Sequence, residues 1–169
     1  MKTRPKITLT LSPFDNKIEL AGKLFLIVLW VLALYIYFIA PPTIPIHFDA
    51  SGKADNYGSK ITILIMPIIG SIIYFGISQL NKYPHIFNYA TEITVANAER
   101  QYTIATRTLR ILKLLIPVIF STIILFSYNT AIGAASGLGP WFLPIVIGLL
   151  LTLIIASIMQ SLKKKNSAI

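Results

Sequence analysis

The chain has 169 residues, of which 55% are hydrophobic and 12% are charged, and its mean hydropathy is +0.73. This composition is too apolar for an ordinary soluble domain or a disordered tail. The chain has no cysteine, which excludes disulfide scaffolds, thiol catalysis and thiolate metal sites. The sequence therefore predicts an integral membrane protein.

Four apolar runs have the length that a helix needs to cross a hydrocarbon core of ~30 Å. They predict an all-α, polytopic membrane protein with transmembrane helices at about residues 24–40, 61–80, 111–132 and 141–161. Within this membrane domain (24–161), an external loop spans 41–60 and a cytoplasmic amphipathic segment spans 81–110. Residues 1–23 are expected to form a cytoplasmic N-terminal segment, and residues 162–169 a basic cytoplasmic tail.

Basic residues predict the orientation of these spans. All but two of the 15 Lys and Arg residues lie in the two terminal segments and the flanks between spans two and three, with Lys113 counted in a flank. The other two, Lys53 and Lys60, lie in the external loop. Because basic flanks stay in the cytoplasm, both termini are predicted to be cytoplasmic. This topology and anionic lipid explain the net charge of +9, so nucleic-acid binding is not expected.

The cytoplasmic segment has two helical stripes. Apolar or small residues recur three and four positions apart from Val95 to Leu112, whereas Arg100, Arg107 and Arg110 lie on the opposite stripe. This pattern is typical of a helix that lies on the membrane lipids of the inner leaflet before it turns into span three. A helix that docks a cytoplasmic protein has the same pattern, so both interpretations stay open.

The external loop contains prolines, glycines, aspartates and a histidine within twenty residues. Three prolines and two glycines predict a rigid loop with turns at Asp49–Gly52 and Asp55–Gly58. Ser59 is expected to cap the start of span two. A rigid external loop indicates a recognition site.

Three residues of this loop, His47, Asp49 and Asp55, are a weak candidate set for a divalent metal ion. Alternatively, the carboxylates accept hydrogen bonds from turn amides and form ion pairs with Lys53 or Lys60. Acid–base catalysis is a third reading, but one base and two carboxylates define no reaction. We therefore expect no catalytic residue, no metal and no cofactor.

The run Ile44-Pro45-Ile46-His47-Phe48, followed by Gly52, Asp55, Tyr57, Gly58 and Lys60, resembles the signature loop of a bacterial membrane domain of unknown function. That domain also occurs in SdpI-type immunity and signalling proteins. Residues 80–88 and 97–102 resemble the cytoplasmic segment of the same group, so the resemblance covers about residues 20–115. Two features depart from the group: Asp49 stands where Asn is frequent, and SdpI proteins have two further spans.

The resemblance implies a multi-span protein of the bacterial plasma membrane. Some relatives protect the producing cell from a secreted peptide toxin and hold a repressor at the membrane. For this chain it implies an external recognition surface made of His47, Phe48, Asp49, Gly52, Asp55, Tyr57 and Lys60.

The expected function is non-enzymatic: toxin immunity, envelope-stress sensing or an accessory role. Its expected partners are a peptide toxin or other envelope ligand outside and a protein in the cytoplasm. The alternative is a component of a transporter or channel complex. Ionisable residues lie only in the flanks of the predicted spans, and this argues against the alternative. A homo-oligomer is also expected, because small residues such as Gly70, Gly76, Gly148 and Ala156 permit close helix contact.

Overall fold

The computed structural model of the protein describes residues 4–163. Its helices and strands, in chain order, are α1 (Pro13–Ile39), β1 (Thr43–Phe48), β2 (Ala54–Ser59), α2 (Ile65–Leu80), α3 (Ala98–Ala131) and α4 (Phe142–Leu162). Short 3₁₀ segments at Lys60–Leu64 and Pro84–Ile86 precede α2 and α3. Residues 1–3 and 164–169 lie outside the described part, so most of the predicted basic tail is not covered.

Within residues 4–163, four helices are long and apolar enough to cross a membrane, and this confirms the four predicted spans at that level. The external segment differs from the prediction, because β1 and β2 pair as an antiparallel hairpin. The predicted turn at Asp55–Gly58 is wrong, since these residues belong to β2. Ser59 caps the 3₁₀ segment before α2, as expected, by accepting a hydrogen bond from the Ile61 N–H.

The helices run up and down, so the bundle has two distinct ends. The N-terminal residues and the end of α4 both contact the start of α3. The hairpin and the α3–α4 connection meet at the other end, where the Leu138 N–H donates to the Gly52 carbonyl. We call these ends the terminal end and the hairpin end.

Helix α1 supplies more of the buried hydrophobic core than any other helix. Its buried residues recur three and four positions apart from Asp15 to Ile36, which places them on one face. Leu29 and Ala33 are fully buried in a cluster that includes Tyr74 of α2 and Ile124 of α3. The helix begins with a capping box formed by Ser12 and Asp15.

Both α1 and α3 extend beyond their predicted spans at the terminal end. Helix α1 begins at Pro13, and α3 begins at Ala98 and runs without a break for 34 residues. A helix of that length is about 51 Å long, so it projects well beyond a ~30 Å core. The prediction of a separate helix lying on the leaflet is therefore wrong. The start of α3 instead packs along the extension of α1, and Val95, in the predicted apolar stripe, is 87% exposed.

Helix α4 has no buried residue. It is held to α3 by polar contacts, such as the Thr108 hydroxyl donating to the Ser157 hydroxyl at 2.9 Å. Among the small residues expected to support self-association, Gly70 packs inside the chain against Leu29. A Cβ atom added at Gly76 or Gly148 would meet nothing within 4 Å, so these positions leave open surface.

Candidate functional site

The hairpin is fixed to the bundle by its inner side. Ile44 is 1% exposed and joins the core, and the adjacent Pro45 is also fully buried. Lys60 Nζ donates to the Ala40 carbonyl at 3.1 Å and lies 5.4 Å from the centre of the Tyr37 ring. Lys60, a predicted recognition residue, thus ties the base of the hairpin to the end of α1.

Asp49 organises the turn between the strands. Its Oδ1 accepts hydrogen bonds from the Ser51 hydroxyl at 2.7 Å, the Ser51 N–H at 2.8 Å and the Lys53 N–H at 2.9 Å. The Ser51 hydroxyl, followed by the Lys53 N–H, holds the pKa of Asp49 below its usual range. The predicted turn at Asp49–Gly52 is confirmed by a hydrogen bond from the Gly52 N–H to the Asp49 carbonyl. The Asp49 carboxylate therefore holds the turn in its conformation.

Gly52 lies where the turn meets the α3–α4 connection. Its φ of 77° is in the left-handed region that favours glycine. A Cβ atom at Gly52 would collide with the backbone of Gly139, and one at Gly137 would collide with the Gly52 carbonyl. Gly52 is buried and positions the hairpin against residues more than 80 positions away in the chain.

Replacing Gly52 by alanine should loosen this junction. The left-handed conformation alone costs a residue with a Cβ about 1–2 kcal/mol, and the collision adds to that cost. We expect a lower thermal unfolding midpoint of the purified protein in detergent micelles. Gly76→Ala is the matched control, because its Cβ has no neighbour within 4 Å. Equal midpoints for the two variants would contradict the close approach.

His47 and Asp55 face each other across the hairpin. The distance from His47 Nδ1 to Asp55 Oδ1 is 2.6 Å, and the side chains are 66% and 46% exposed. Tyr57, two residues along β2, is 53% exposed. We call His47, Asp55 and Tyr57 the outer patch. Phe48, another predicted recognition residue, is half-buried at the end of β1.

The weak metal candidate is not assembled. Asp55 contacts His47, whereas the Asp49 carboxylate is used within the turn. Across residues 4–163, no three His, Asp or Glu side chains are grouped in a way that could hold a metal ion. The set His47, Asp49 and Asp55 is therefore wrong as a metal site. The expected pairing of Asp55 with Lys53 or Lys60 is replaced by the His47 contact.

A second charged group lies between α1 and α3 near the terminal end. Arg107 donates to both carboxylate oxygens of Asp15, through Nε at 2.7 Å and Nη2 at 2.9 Å. Glu19 accepts from Arg110 Nε at 3.1 Å and from Lys113 Nζ at 2.7 Å. We call these five residues the ion-pair layer. Because Asp15 meets Arg107 and Glu19 meets Lys113, α1 and α3 run in the same direction.

In the ion-pair layer, two arginines of the predicted basic stripe contact carboxylates of α1. Arg110 is 6% exposed, so the expectation that it faces lipid or a partner does not hold. Arg107 is engaged by Asp15 for the same reason, namely that α1 continues alongside α3. Arg100 donates to the main-chain carbonyls of Gln160 and Lys163, which lie at the end of α4 and lack helical partners.

The sequence pattern does not predict Asp15, Glu19 and Lys113 as members of a site. A signal was present, because Asp15 and Glu19 are the acidic residues of the predicted N-terminal segment and lie four positions apart. That spacing places both carboxylates on one face of a helix. The helix itself went unrecognised there, since the apolar run begins only at residue 24.

The four candidate spans define a multi-pass membrane protein. Residues 24–70 match a domain of unknown function, DUF1648, and thus cover the apolar part of α1, the hairpin and the start of α2. An uncharacterized protein of Archaeoglobus fulgidus is 38% identical over 68 residues. That similarity covers 36% of this chain and 37% of the archaeal protein, so it spans little more than a third of the relative. No solved structure matches the chain.

Proposed function

We propose that this chain is a non-enzymatic bacterial plasma-membrane protein that recognises a peptide toxin or another envelope ligand through the outer patch. Its role is toxin immunity, envelope-stress sensing or an accessory function of the kind that the SdpI-like resemblance implies. The proposal rests on the difference between the two sides of the hairpin: Ile44 is buried in the core, whereas His47 and Asp55 are exposed to solvent. A surface that is already ordered loses little conformational entropy when it binds.

The proposal places the hairpin end outside the cell and the terminal end in the cytoplasm. Among residues 4–163, Lys53 and Lys60 are the basic residues of the hairpin and its base, and the remaining Lys and Arg residues belong to the segments at the terminal end. Basic residues next to spans favour the cytoplasmic side. Both termini are then cytoplasmic.

Cysteine labelling tests this orientation without background, because the chain has no cysteine. Ala50, in the hairpin turn, and Asn88, before α3, are both exposed. We expect Ala50→Cys to react with a membrane-impermeant maleimide in intact spheroplasts, and Asn88→Cys to react only after permeabilisation. The reverse pattern would contradict the orientation.

Survival assays test recognition by the outer patch. A sensitive bacterial host would express each variant at equal membrane levels and be challenged with membrane-active peptide toxins and cell-envelope antibiotics. His47→Ala and Asp55→Ala each remove the contact across the hairpin. We expect each to reduce the tolerated dose about tenfold or more, as loss of a central binding residue does.

Lys53→Ala is the matched control, because Lys53 is exposed in the same turn and donates only through its backbone N–H. Full protection by both outer-patch variants would contradict the proposal. If the wild-type protein protects against no agent, immunity is excluded for that panel, and crosslinked partner capture becomes the test of an accessory role.

A cytoplasmic partner belongs to the same proposal. A cleft of about 980 Å³ lies between the start of α3 and the end of α4, with Arg100 and Lys163 among its lining residues. Strand β1 packs against α3, which continues from the hairpin end to this cleft. One continuous helix thus links the two proposed binding regions.

A component of a transporter or channel complex is the second candidate, and Lys113 favours it. This residue is 2% exposed inside α3, although the charge pattern predicts it in a flank. Buried ionisable residues in spanning helices often mark ion or proton pathways. Against this function, Ser71 and Ser78 of α2 are hydrogen-bonded to Trp30 and Lys113 within the bundle. Specific flux in reconstituted vesicles that Lys113→Met abolishes would reverse our ranking.

A further inference from the structure

A cavity of about 310 Å³ lies at the terminal end, where α1, α2 and α3 come together. Its polar and charged lining includes Glu19, Lys23, Tyr74, Lys82, Arg110 and Lys113. Four of these side chains are cationic and one is a carboxylate, so the lining has a net positive charge of three. A concave surface with such an excess of positive charge attracts anions.

Two buried groups of this lining have hydrogen-bond donors that the chain does not use. Tyr74 is 4% exposed, and its hydroxyl has no partner within residues 4–163. Arg110 donates through Nε to Glu19 and through Nη1 to Thr106, which leaves Nη2 without an acceptor in the described chain. The Tyr74 hydroxyl is closed off from the open cavity. A guanidinium group has five N–H donors, so Arg110 Nη2 can donate to an anion in the cavity.

The cavity lies at the level where the helices meet the membrane boundary. Lys23 directly precedes the apolar run of α1, and Lys82 lies two residues after the end of α2. Phe75 also lines the cavity and is 59% exposed, so apolar surface borders the charged surface. Lysine side chains at such positions extend to the headgroup region of a bilayer. A ligand with a phosphate group and adjacent acyl chains matches both parts of this surface.

We propose that this cavity binds the phosphate group of an anionic phospholipid. Lys23, Lys82 and Arg110 supply positive charge, and Arg110 Nη2 donates a hydrogen bond. Lys113 keeps Glu19 and Ser78 in place through bonds of 2.7 and 3.0 Å. The site is independent of the hairpin and its ligand. Inorganic phosphate has the same chemistry, and the test separates the two sources.

The test is thermal unfolding of the full chain in lipid-free detergent micelles, titrated separately with short-chain phosphatidylglycerol, short-chain phosphatidylcholine and inorganic phosphate. A ligand that binds only the folded state raises the unfolding midpoint in proportion to its affinity. We expect stabilisation by phosphatidylglycerol at concentrations at least about tenfold lower than by phosphatidylcholine. Stabilisation by inorganic phosphate at the same concentrations as phosphatidylglycerol would overturn the lipid assignment.

Tyr74→Phe is a control variant inside the same lining. The lost hydroxyl has no partner in the described chain, so the lipid-free protein should unfold at the same temperature or higher. Its affinity for phosphatidylglycerol should stay the same, because the hydroxyl is closed off from the cavity. A loss of affinity of about tenfold would overturn the proposed position of the phosphate.

A pair of double variants separates the cavity from general attraction between charges. Lys23→Gln with Lys82→Gln removes two exposed lysines of the lining, and Lys6→Gln with Lys17→Gln removes two exposed lysines elsewhere at the terminal end. We expect the first pair to reduce phosphatidylglycerol affinity about tenfold more than the second pair. Equal losses in the two double variants would overturn a defined site.

Discussion

Replacing Glu19 by alanine is expected to reduce the free energy of unfolding by about 3–5 kcal/mol, the usual cost of removing one partner from a buried ion pair. Its carboxylate contacts both Arg110 and Lys113, whose side chains are 8% and 2% exposed. Removing it leaves two buried cations without a counter-charge. Their exposure is low, so water can replace the carboxylate only from the cavity that Glu19, Arg110 and Lys113 line.

Unfolding of the purified protein by sodium dodecyl sulfate in mixed micelles, followed by circular dichroism, measures this loss. Lys17→Ala is the control on the same helix, because Lys17 is exposed. Adding Lys113→Met to the Glu19→Ala variant should restore part of the stability, since one of the two unpaired charges is then removed. A loss of less than about 1 kcal/mol in Glu19→Ala would show that water solvates the ion-pair layer.

The lengths of the apolar runs were enough to predict four spanning helices, but not where α1 and α3 begin. Hydropathy identifies the part of a helix that faces lipid, whereas the extensions of α1 and α3 are stabilised by contacts between residues far apart in the chain. Asp15 and Arg107 are an example, because neither residue predicts the other without knowledge of how α1 and α3 pack. Periodicity failed for the same reason: Thr106 and Lys113, which lie on the buried face of α3, are polar.

In the hairpin, features that depend on neighbouring residues could be predicted from the sequence, whereas features that depend on packing between distant residues could not. The turn at Asp49 follows from the preference of a short carboxylate for nearby backbone N–H groups. The contact between His47 and Asp55 depends on strand register, which is irregular on either side of His47. The approach of Gly52 to Gly137 depends on the α3–α4 connection. The sequence therefore located the candidate recognition surface, while the structure separated its exposed residues from those that hold the hairpin in place.

Tyr102→Ala should also cost about 3–5 kcal/mol, as truncation of a buried aromatic side chain does. Tyr102 is fully buried in a cluster with Ile93 and Ala98, and its ring centre lies 5.5 Å from that of Tyr89. Its hydroxyl donates to the Pro5 carbonyl at 3.0 Å. The residue thus joins three parts of the terminal end: the N-terminal segment, the segment before α3 and α3 itself.

Tyr102→Phe keeps the ring and loses only the hydrogen bond, so its cost should be about 0.5–1.5 kcal/mol. Chymotrypsin provides a local measurement, because Tyr83, Phe87 and Tyr89 lie in the segment that Tyr102 holds. Cleavage there should accelerate in Tyr102→Ala and change little in Tyr102→Phe; equal rates in the two variants would contradict the anchoring role.

The outer patch lies at the opposite end of the bundle. If the protein protects against a toxin as proposed, protection that survives in a folded Tyr102→Ala protein would show that ligand recognition is sufficient, whereas its loss would show that the terminal end takes part in the response.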